Sequence, residues 1–305
     1  MSTIFICGAT GTQGGSIIAN LPGTNLKAHA ITRDLTTPAS QASLAAGVTL
    51  FQGNFDDEPS LRTAMAGCTS LFLNLMPSFT DLTLELTQAK RIIAVAKDLG
   101  INHIIYSSGL VRRAEQSPYW DPASFVASVV KNKMAIEEEV RSAGFKHYTI
   151  LRPGSFMSNY LAPFVHRSYA GLAEKGEYTT ALLPESVIPL VDPTDIGKFA
   201  VAAFLDPARF GGKEVEIASE LMVSEDVMEV LSKATGSEKK VHYMTQEEID
   251  GQAKTNPFVG SQLVARDMAQ GVDMDEVRSW GVPLGTFEGF LEREKDRVAE
   301  TYSKQ

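Results

Sequence analysis

The segment FICGATGTQGGSIIANL, residues 5–21, constrains the fold of this chain more than any other part of the sequence. It carries glycines at positions 8, 11 and 14, between a short apolar run and a stretch with helical spacing of apolar residues. Glycine lets the backbone turn sharply, and the free amides at the start of a helix stabilise phosphate charge. The segment therefore predicts an α/β fold that binds a dinucleotide, with a plain strand-to-helix turn as the alternative.

The first half of the chain alternates apolar, β-rich runs with longer helical patterns. Such alternation indicates stacked βαβ units around a parallel sheet, so we predict a doubly wound Rossmann fold. The predicted strands are 3–8, 26–33, 48–53, 70–76, 103–109 and 147–154. The predicted helices start near Gly14, Ser60, Leu82 and Ala123, and the third of them ends at Gly100.

After Gly154 the alternation fades into a region rich in proline, glycine and aromatic residues. We expect residues 1–154 to form an NAD(P)-binding Rossmann domain. Residues 155–305 are expected to form a smaller, discontinuous α/β subdomain on the substrate side, with some segments returning to the Rossmann domain. The patterns predict helices near 194–206, 224–235 and 286–300, and a strand at KEVEIA (213–218).

Composition argues against several classes of protein. The 305 residues include 28 Lys and Arg against 37 Asp and Glu, a formal net charge of -9, so no direct nucleic-acid partner is expected. Cys7 and Cys68 lie far apart in apolar stretches and show no metal spacing with the histidines, so no metal site is predicted. The first ten residues lack a basic n-region and their apolar run has only the length of a strand, so we expect neither secretion nor a membrane span. The expected location is the cytoplasm, or the nucleus for a regulator.

The end of the second predicted strand distinguishes NAD from NADP. An acidic residue there would bond to the ribose 2′-hydroxyl, whereas an arginine pairs with a 2′-phosphate. Arg33 occupies this position and Asp34 follows it. NADP(H) is therefore the predicted cofactor, and a solvated surface arginine is the alternative.

Residues after the third and fourth predicted strands are the next candidates, because ligands of open parallel sheets lie beyond the carboxyl ends of the strands. The GNFDD segment at 53–57 offers the side chains of Asn54, Asp56 and Asp57 to the adenine edge, although a turn would use the same residue types. The residues expected to supply backbone contacts after the fourth strand are Leu75, Met76 and Pro77.

The chain resembles the NmrA-like family, a group of atypical members of the short-chain dehydrogenase/reductase superfamily. The resemblance covers at least residues 3–160 and lies in an ordered set of motifs: GATGTQGG, TR at a strand end, GNFDD, YSSG, a helix lysine and LRPGSFMSN. It implies a Rossmann domain with a small C-terminal subdomain, and NADP(H) binding. It also implies one of two roles: a redox-sensing regulator with a protein partner, or a reductase of quinones or secondary metabolites.

The resemblance also assigns individual residues. Arg33 matches the 2′-phosphate residue, and Lys133 matches the helix lysine at the family's eleven-residue distance from Gly144. Asn54 stands where aspartate is common, and Met157 where an aromatic residue is common. The phosphate turn matches at Gly8, Ala9, Thr10, Gly11, Thr12 and Gln13, with Gly14 directly after it. The adenine-side pair matches at Asn54 and Phe55, and the nicotinamide-side segment at Phe156, Met157 and Asn159.

The residue pair that usually performs short-chain dehydrogenase chemistry is incomplete. A tyrosine four residues before the lysine would share its helix face and act as the general acid, but Val129 occupies that position. A quinone, enone or imine gives a delocalised or readily protonated product, so its reduction depends less on a strong acid. We therefore predict NADPH-dependent reduction of a conjugated or aromatic small molecule, with a non-catalytic redox sensor as the alternative.

The candidate catalytic residues are Lys133, Ser107 and Ser108. Lys133 would bind the cofactor by a hydrogen bond to the nicotinamide ribose or would stabilise an oxyanion, and Ser107 or Ser108 would donate to a substrate oxygen. The alternatives are an exposed helix lysine and a strand-end turn. Aromatic side chains are a further candidate set, either as walls of a pocket for a flat apolar ligand or as ordinary core. They are Tyr119, Trp120, Phe125, Phe156, Tyr160 and Phe164.

Overall fold

The computed structural model of the chain describes residues 2–169, 171–253, 255–267 and 271–303. The strands are β1 (Ser2–Ile6), β2 (Leu26–Thr32), β3 (Thr49–Gln52), β4 (Ser70–Leu73), β5 (His103–Ser107), β6 (His147–Pro153), β7 (Ser155–Phe156), β8 (Glu177–Thr180), β9 (Ile188–Val191), β10 (Lys213–Ile217), β11 (Glu220–Met222) and β12 (Lys240–Tyr243). The helices of the first half are α1 (Thr12–Ala19), α2 (Pro38–Ala45), α3 (Glu58–Met65), α4 (Leu84–Asp98) and α5 (Phe125–Ser142). Those that follow are α6 (Val165–Ser168), α7 (Leu172–Lys175), α8 (Pro193–Leu205), α9 (Pro207–Phe210), α10 (Ser224–Thr235), α11 (Gln246–Gln252), α12 (Pro257–Ala265), α13 (Met274–Ser279), α14 (Phe287–Arg293) and α15 (Lys295–Tyr302). Over these described ranges, no helix has the length and apolar character that a membrane crossing needs.

The chain divides into two compact units, the first of which comprises Met1–Val111, Val129–Arg152 and Pro193–Glu216. Its sheet has seven strands in the order β10-β6-β5-β4-β1-β2-β3. The pairings from β3 through to β6 are all parallel. The chain reverses its direction of travel across the sheet between β1 and β4, which is the usual ligand position in such sheets. The predicted doubly wound Rossmann fold is confirmed.

Helix α2 is the element of the first half that the sequence analysis missed. Its sequence, PASQASLA, contains a single large apolar residue, Leu44, so it has no helical periodicity to detect. Local interactions in its first turn stabilise the helix instead. Pro38 lies in that turn, and the hydroxyl of Thr37 accepts a hydrogen bond from the Ser40 amide at 3.2 Å.

Helix α8 packs against α1 with very close backbone approach. A Cβ atom on Gly197 would lie 2.3 Å from Ser16 Oγ, so only glycine fits at this crossing. The Ser16 hydroxyl also donates a hydrogen bond to the Pro193 carbonyl at 2.5 Å. The segment KEVEIA then supplies β10, which lies beside β6 in the large sheet. Residues far along the chain thus complete the first unit.

The second unit comprises Arg112–Ser128, Pro153–Asp192 and Ile217–Gln305. It contains a three-stranded sheet, β11-β9-β7, and a parallel pair, β12 and β8. Its apolar core includes Met157, Tyr160 and Phe287. The prediction of one helix near 286–300 is wrong in one respect: α14 and α15 are separate. The backbone of Glu294 leaves the helical region between them, at φ -95 and ψ 20.

Candidate functional site

The glycine turn connects β1 to α1 in the first unit. Gly8 has a positive φ of 68°, and the Gly11 amide donates to its carbonyl at 2.9 Å. A Cβ on Gly14 would lie 2.3 Å from that same carbonyl oxygen, so glycine is required for α1 to start this close to the strand. Among the described residues, no side chain caps the start of α1. Its first-turn amides therefore remain available to an anionic ligand.

Gln13 links the turn to the ends of two further strands. Its Nε2 donates to Asn74 Oδ1 at 3.1 Å, and Ser107 Oγ donates to its Oε1 at 2.6 Å. Asn74 directly follows β4, and Ser107 is the last residue of β5. The sequence analysis did not select Asn74. The sequence does mark Asn74 as a candidate, because it is the single polar residue in the run LFLNLM at 71–76.

Arg33 lies directly after β2 and is exposed. In the part of the chain that the structure describes, no carboxylate forms an ion pair with its guanidinium at 4.0 Å or less. The neighbouring Asp34 bonds elsewhere: it accepts from the hydroxyl and the amide of Thr36, both at 2.7 Å. These bonds hold the pKa of Asp34 below its usual value. Asp34 therefore leaves Arg33 available to a ligand anion.

The segment after β3 forms a turn. Asn54 Oδ1 accepts from the amides of Asp56 at 2.7 Å and Asp57 at 3.1 Å, and Arg91 pairs with Asp56 at 3.1 Å. Phe55 is half-buried and packs against the apolar core. The turn that was the alternative interpretation of the GNFDD segment is therefore present. The contacts of Asn54 and Phe55 with adenine stay a prediction.

The loop between β4 and α4 contains the next predicted contacts, Leu75, Met76 and Pro77. Leu75 is buried, Pro77 is half-buried, and Met76 is 79% exposed. Further along the same loop, Phe79 is 66% exposed. Two large apolar side chains therefore extend into solvent at the carboxyl edge of the sheet. The backbone contacts that we assigned to this loop remain a prediction.

Lys133 lies on α5 and is not an exposed helix lysine. Its Nζ forms an ion pair with Glu85 Oε1 on α4 at 2.9 Å, and the two side chains are only 14% and 1% exposed. Its Cδ lies 4.0 Å from the place that a Cβ on Gly109, just after β5, would occupy. Lys131, two residues earlier on the same helix, is exposed. Glu85 was not among the predicted site residues, because its partner Lys133 lies 48 residues away along the chain.

Two hydroxyl groups near the end of β5 are buried. The hydroxyls of Tyr106 and Ser108 lie near each other, yet neither has a partner with hydrogen-bond geometry among the described residues. Burial raises the pKa of Tyr106 well above its usual value, and the carboxylates of Glu85 and Glu137 raise it further. Tyr106 is therefore a neutral hydroxyl at any ordinary pH. Ser107 differs from Ser108 because its hydroxyl is already bound to Gln13.

The predicted nicotinamide-side residues open the second unit. Phe156 lies in β7, opposite Val191 of β9, and is half-buried. The turn Met157–Tyr160 follows. Within it, Met157 is fully buried in the core of the second unit, and Asn159 is half-buried. Asn159 lines a cavity in this unit.

That cavity has a volume of about 280 Å³. Its aromatic walls are Tyr160, Phe164, Tyr169, Tyr178 and Phe258. Polar atoms come from Ser155, Asn159, Ser168, Ser261 and Gln262, and none of the described lining residues is charged. Of the predicted aromatic set, Tyr160 and Phe164 line the cavity, whereas Tyr119, Trp120, Phe125 and Phe156 do not. An uncharged, largely aromatic lining fits a flat, neutral ligand.

An open parallel sheet with a glycine turn at the point where its strand order reverses defines a protein of the Rossmann type. Comparison with known families specifies the class further. The model of the NmrA-like family matches residues 1–270, so the chain belongs to the NmrA-like family. The resemblance seen in the sequence motifs is confirmed.

Three proteins with different names are similar to this chain. An NmrA-like family domain-containing oxidoreductase, malD of Malbranchea aurantiaca, is 26% identical over 257 residues, 78% of this chain and 74% of its own length. Quinone oxidoreductase 2 of Escherichia coli is 31% identical over 183 residues, 58% and 59% of the two chains. The crystal structure of NmrA, a negative transcriptional regulator, in complex with NADP superposes with a TM-score of 0.75 at 20% identity, covering 99% of this chain and 98% of that one.

Proposed function

We propose that this protein is an NADPH-dependent oxidoreductase that reduces a neutral, conjugated or aromatic small molecule such as a quinone, enone or imine. Two of the similar proteins carry oxidoreductase names, one of them a quinone oxidoreductase, and a third was crystallised with NADP. These names support the class of reaction and cofactor. The argument for this chain rests on its own residues.

The glycine turn suits the pyrophosphate of a dinucleotide. The close approach at Gly14 and the uncapped amides of α1 present backbone donors to an anion. Arg33, exposed and without an acidic partner among the described residues, suits the 2′-phosphate that distinguishes NADP from NAD. Bound NADPH would supply the hydride, and the chain would supply orientation and charge stabilisation.

The cavity of the second unit is the observation that favours catalysis over sensing. A sensor needs only to distinguish the redox states of its cofactor, whereas a reductase also needs a place for an acceptor. The cavity lining includes Ser155 and Asn159, which belong to the segment that the family resemblance assigns to the nicotinamide side. Its uncharged walls favour a neutral acceptor, because an unpaired charge is costly to bury.

Lys133 is the candidate group for handling charge on the acceptor. Its ammonium has three N–H donors, and Glu85 accepts from one of them. The remaining donors would stabilise an oxygen that becomes negative as the acceptor is reduced. Among the described residues, the Ser108 hydroxyl has no partner with hydrogen-bond geometry, whereas the hydroxyl of Ser107 is used by Gln13. Of the two serines, Ser108 is therefore the better candidate for a further donor.

A non-catalytic NADP(H) sensor that acts on a protein partner is the second candidate. Val129 stands four residues before Lys133, where a short-chain dehydrogenase would carry its tyrosine. The exposed side chains of Met76 and Phe79 offer an apolar surface for a partner. Both observations are compatible with a protein that binds the cofactor without consuming it.

The decisive experiment mixes purified protein and NADPH with a panel of quinones, enones and imines and follows loss of the nicotinamide absorbance band. We expect turnover with at least one neutral aromatic acceptor, and its loss in Lys133→Ala and Phe156→Ala variants that keep the wild-type circular dichroism spectrum. Tight NADPH binding without turnover of any acceptor would contradict the enzyme and support the sensor.

The cofactor assignment has its own test. Arg33→Ala should weaken NADPH binding about 10- to 100-fold and leave NADH binding unchanged, because one charge-assisted contact is lost. Arg62→Ala is the matched control, since the Arg62 side chain is 40% exposed but already pairs with Glu58 and Asp98. An equal loss of affinity for NADPH and NADH would show that Arg33 does not bind the 2′-phosphate.

A further inference from the structure

The ion pair between Lys133 and Glu85 is unusual for a helix-to-helix contact because the carboxylate is fully buried. Glu85 is 1% exposed and lies in the first turn of α4, while Lys133 is 14% exposed on α5. Taking a carboxylate out of water carries a large desolvation cost. A contact that served only to hold two helices together could avoid this cost by lying at the surface.

The same two helices have such a surface contact. Lys90 of α4 pairs with Glu139 of α5 at 3.2 Å, with the side chains 54% and 38% exposed. This second pair provides a direct comparison within one interface. The attachment of α4 to α5 therefore gives no reason to bury Glu85.

The surroundings of Glu85 contain unmatched polar atoms. Its second oxygen, Oε2, is buried without a hydrogen-bond partner in the described part of the chain, as are the hydroxyls of Tyr106 and Ser108. Each such group costs about 1–3 kcal/mol relative to a paired one. A buried group that stays unpaired needs an explanation, and completion by a ligand or a proton at a functional site is one such explanation.

We propose that Glu85 is a positioning residue of the reductase site, which holds the Lys133 ammonium in place as the proton donor that substitutes for the tyrosine missing at position 129. This role rests on the proposed reductase function. As the hydride that NADPH would supply, itself being oxidised to NADP⁺, adds to the conjugated acceptor, an electron pair moves onto the acceptor oxygen. The N–H bond of Lys133 then breaks, the O–H bond forms, and the neutral amine recovers a proton from water. Glu85 does not touch the acceptor and acts only through Lys133.

Glu85→Gln tests this role because it keeps the shape and one acceptor oxygen while removing the charge. We expect kcat to fall about 100-fold, since a misdirected catalytic group has an effect of this order. The Kd for NADPH and the KM for the acceptor should change less than about threefold, because Glu85 contacts neither ligand. Glu85→Asp, which restores the charge on a shorter side chain, should recover part of kcat.

Glu139→Gln is the matched control, because it removes the exposed ion pair between the same two helices. It should leave kcat, KM and the melting temperature within error of the wild type. A spectroscopic readout that needs no turnover accompanies the kinetics: the ¹⁵Nζ NMR signal of Lys133, identified by its absence in Lys133→Arg. The signal of this held ammonium should be sharp in the wild type and Glu139→Gln, and broadened in Glu85→Gln.

The outcomes separate the two proposals. Wild-type turnover with unchanged kcat in Glu85→Gln would overturn the role of Glu85 and leave the reductase function intact. A parallel fall of kcat, NADPH affinity and melting temperature, without recovery in Glu85→Asp, would mean that Glu85 is merely structural. Absence of turnover in the wild type itself would overturn the reductase function and, with it, the catalytic meaning of the ion pair.

Discussion

The carboxyl edge of the sheet in the first unit contains ion pairs, whereas the cavity of the second unit has an uncharged lining. The first unit buries charges in pairs: Lys133 with Glu85, and Arg152 with Glu137 and Glu214 at 2.5 and 2.7 Å. The cavity of the second unit has no charged residue in its described lining. A region that binds an anionic cofactor needs donors and cations, whereas a region for a neutral ring excludes them. The difference agrees with the proposal that the first unit binds the anionic cofactor and the second a neutral acceptor.

The two regions also differ in how their geometry is maintained. The glycine turn depends on the absence of side chains, since a Cβ on Gly14 would meet backbone atoms that cannot move away easily. The cavity depends on the presence of large side chains, such as Tyr160 and Tyr178, which are almost fully buried. Substitutions should therefore cause large losses of stability and cofactor binding in the first region, and moderate changes of KM for the acceptor in the second.

The largest effect is expected from Gly14→Ala. The added methyl group would lie 2.3 Å from the Gly8 carbonyl oxygen, so α1 must move away from the turn. We expect a loss of about 1–3 kcal/mol in the free energy of unfolding, the typical cost of overpacking, and loss of measurable NADPH binding. Chemical denaturation and fluorescence titration measure the two quantities.

Gly15→Ala is the control for this substitution, one residue further along the same helix. Its added Cβ would meet only the Ala9 carbonyl oxygen, at an ordinary 3.8 Å. Alanine should stabilise α1 there by about 0.5–1 kcal/mol, because it restricts the unfolded backbone. Equal behaviour of the two variants would show that close packing at the turn is not what binds the cofactor.

An intermediate effect is expected from Gln262→Glu, which introduces a charge into the neutral cavity. The new carboxylate can still accept the hydrogen bond from the Ala181 amide, now 2.8 Å from Gln262 Oε1, so the fold should persist. The KM for a neutral aromatic acceptor should rise about tenfold through the cost of desolvating the charge, with NADPH affinity unchanged. Steady-state kinetics at saturating NADPH provide the measurement.

The control is Gln252→Glu at the exposed end of α11, which adds the same charge to the surface of the second unit. It should leave both kinetic constants unchanged. If Gln262→Glu also left KM unchanged, the acceptor would have to bind elsewhere, and the contrast between the two regions would lose its functional meaning.

The smallest expected effect is the change of the free energy of unfolding with pH. Burial raises the pKa of Tyr160 and Tyr178 above the ordinary value of 10. Their contribution to stability is therefore fully present below pH 10. It decreases above pH 10, by about 1.4 kcal/mol per pH unit for each tyrosine, because only the unfolded chain ionises there.

Absorbance of tyrosinate and far-ultraviolet circular dichroism, followed together during alkaline titration, check this behaviour. The ionisation of the cavity tyrosines should coincide with the loss of helical signal. Tyr178→Phe should reduce the absorbance change of that step. Complete ionisation while the fold persists would mean that water and hydroxide reach the cavity freely, and that its neutral character is not maintained.

The sequence predicted the first six strands well because their signals are local. Alternating apolar patterns gave β1 to β6, and Gly100, with its positive φ of 77°, ends the α4 segment as expected. Helix α2 escaped detection because it has almost no apolar face. The KEVEIA segment was recognised as a strand, but only the folded chain shows that it pairs beside β6.

The sequence by itself determined the glycine turn and the location of Arg33 after a strand, since both follow from backbone conformation and strand period over a few residues. Only the tertiary structure decided the environment of Lys133. Its partner Glu85 comes from another helix, and Gly109, which its side chain approaches, follows β5. Burial and long-range pairing arise when distant segments pack, so no local pattern encodes them. The same holds for the cavity, whose walls come from the separate segments 155–189 and 258–265.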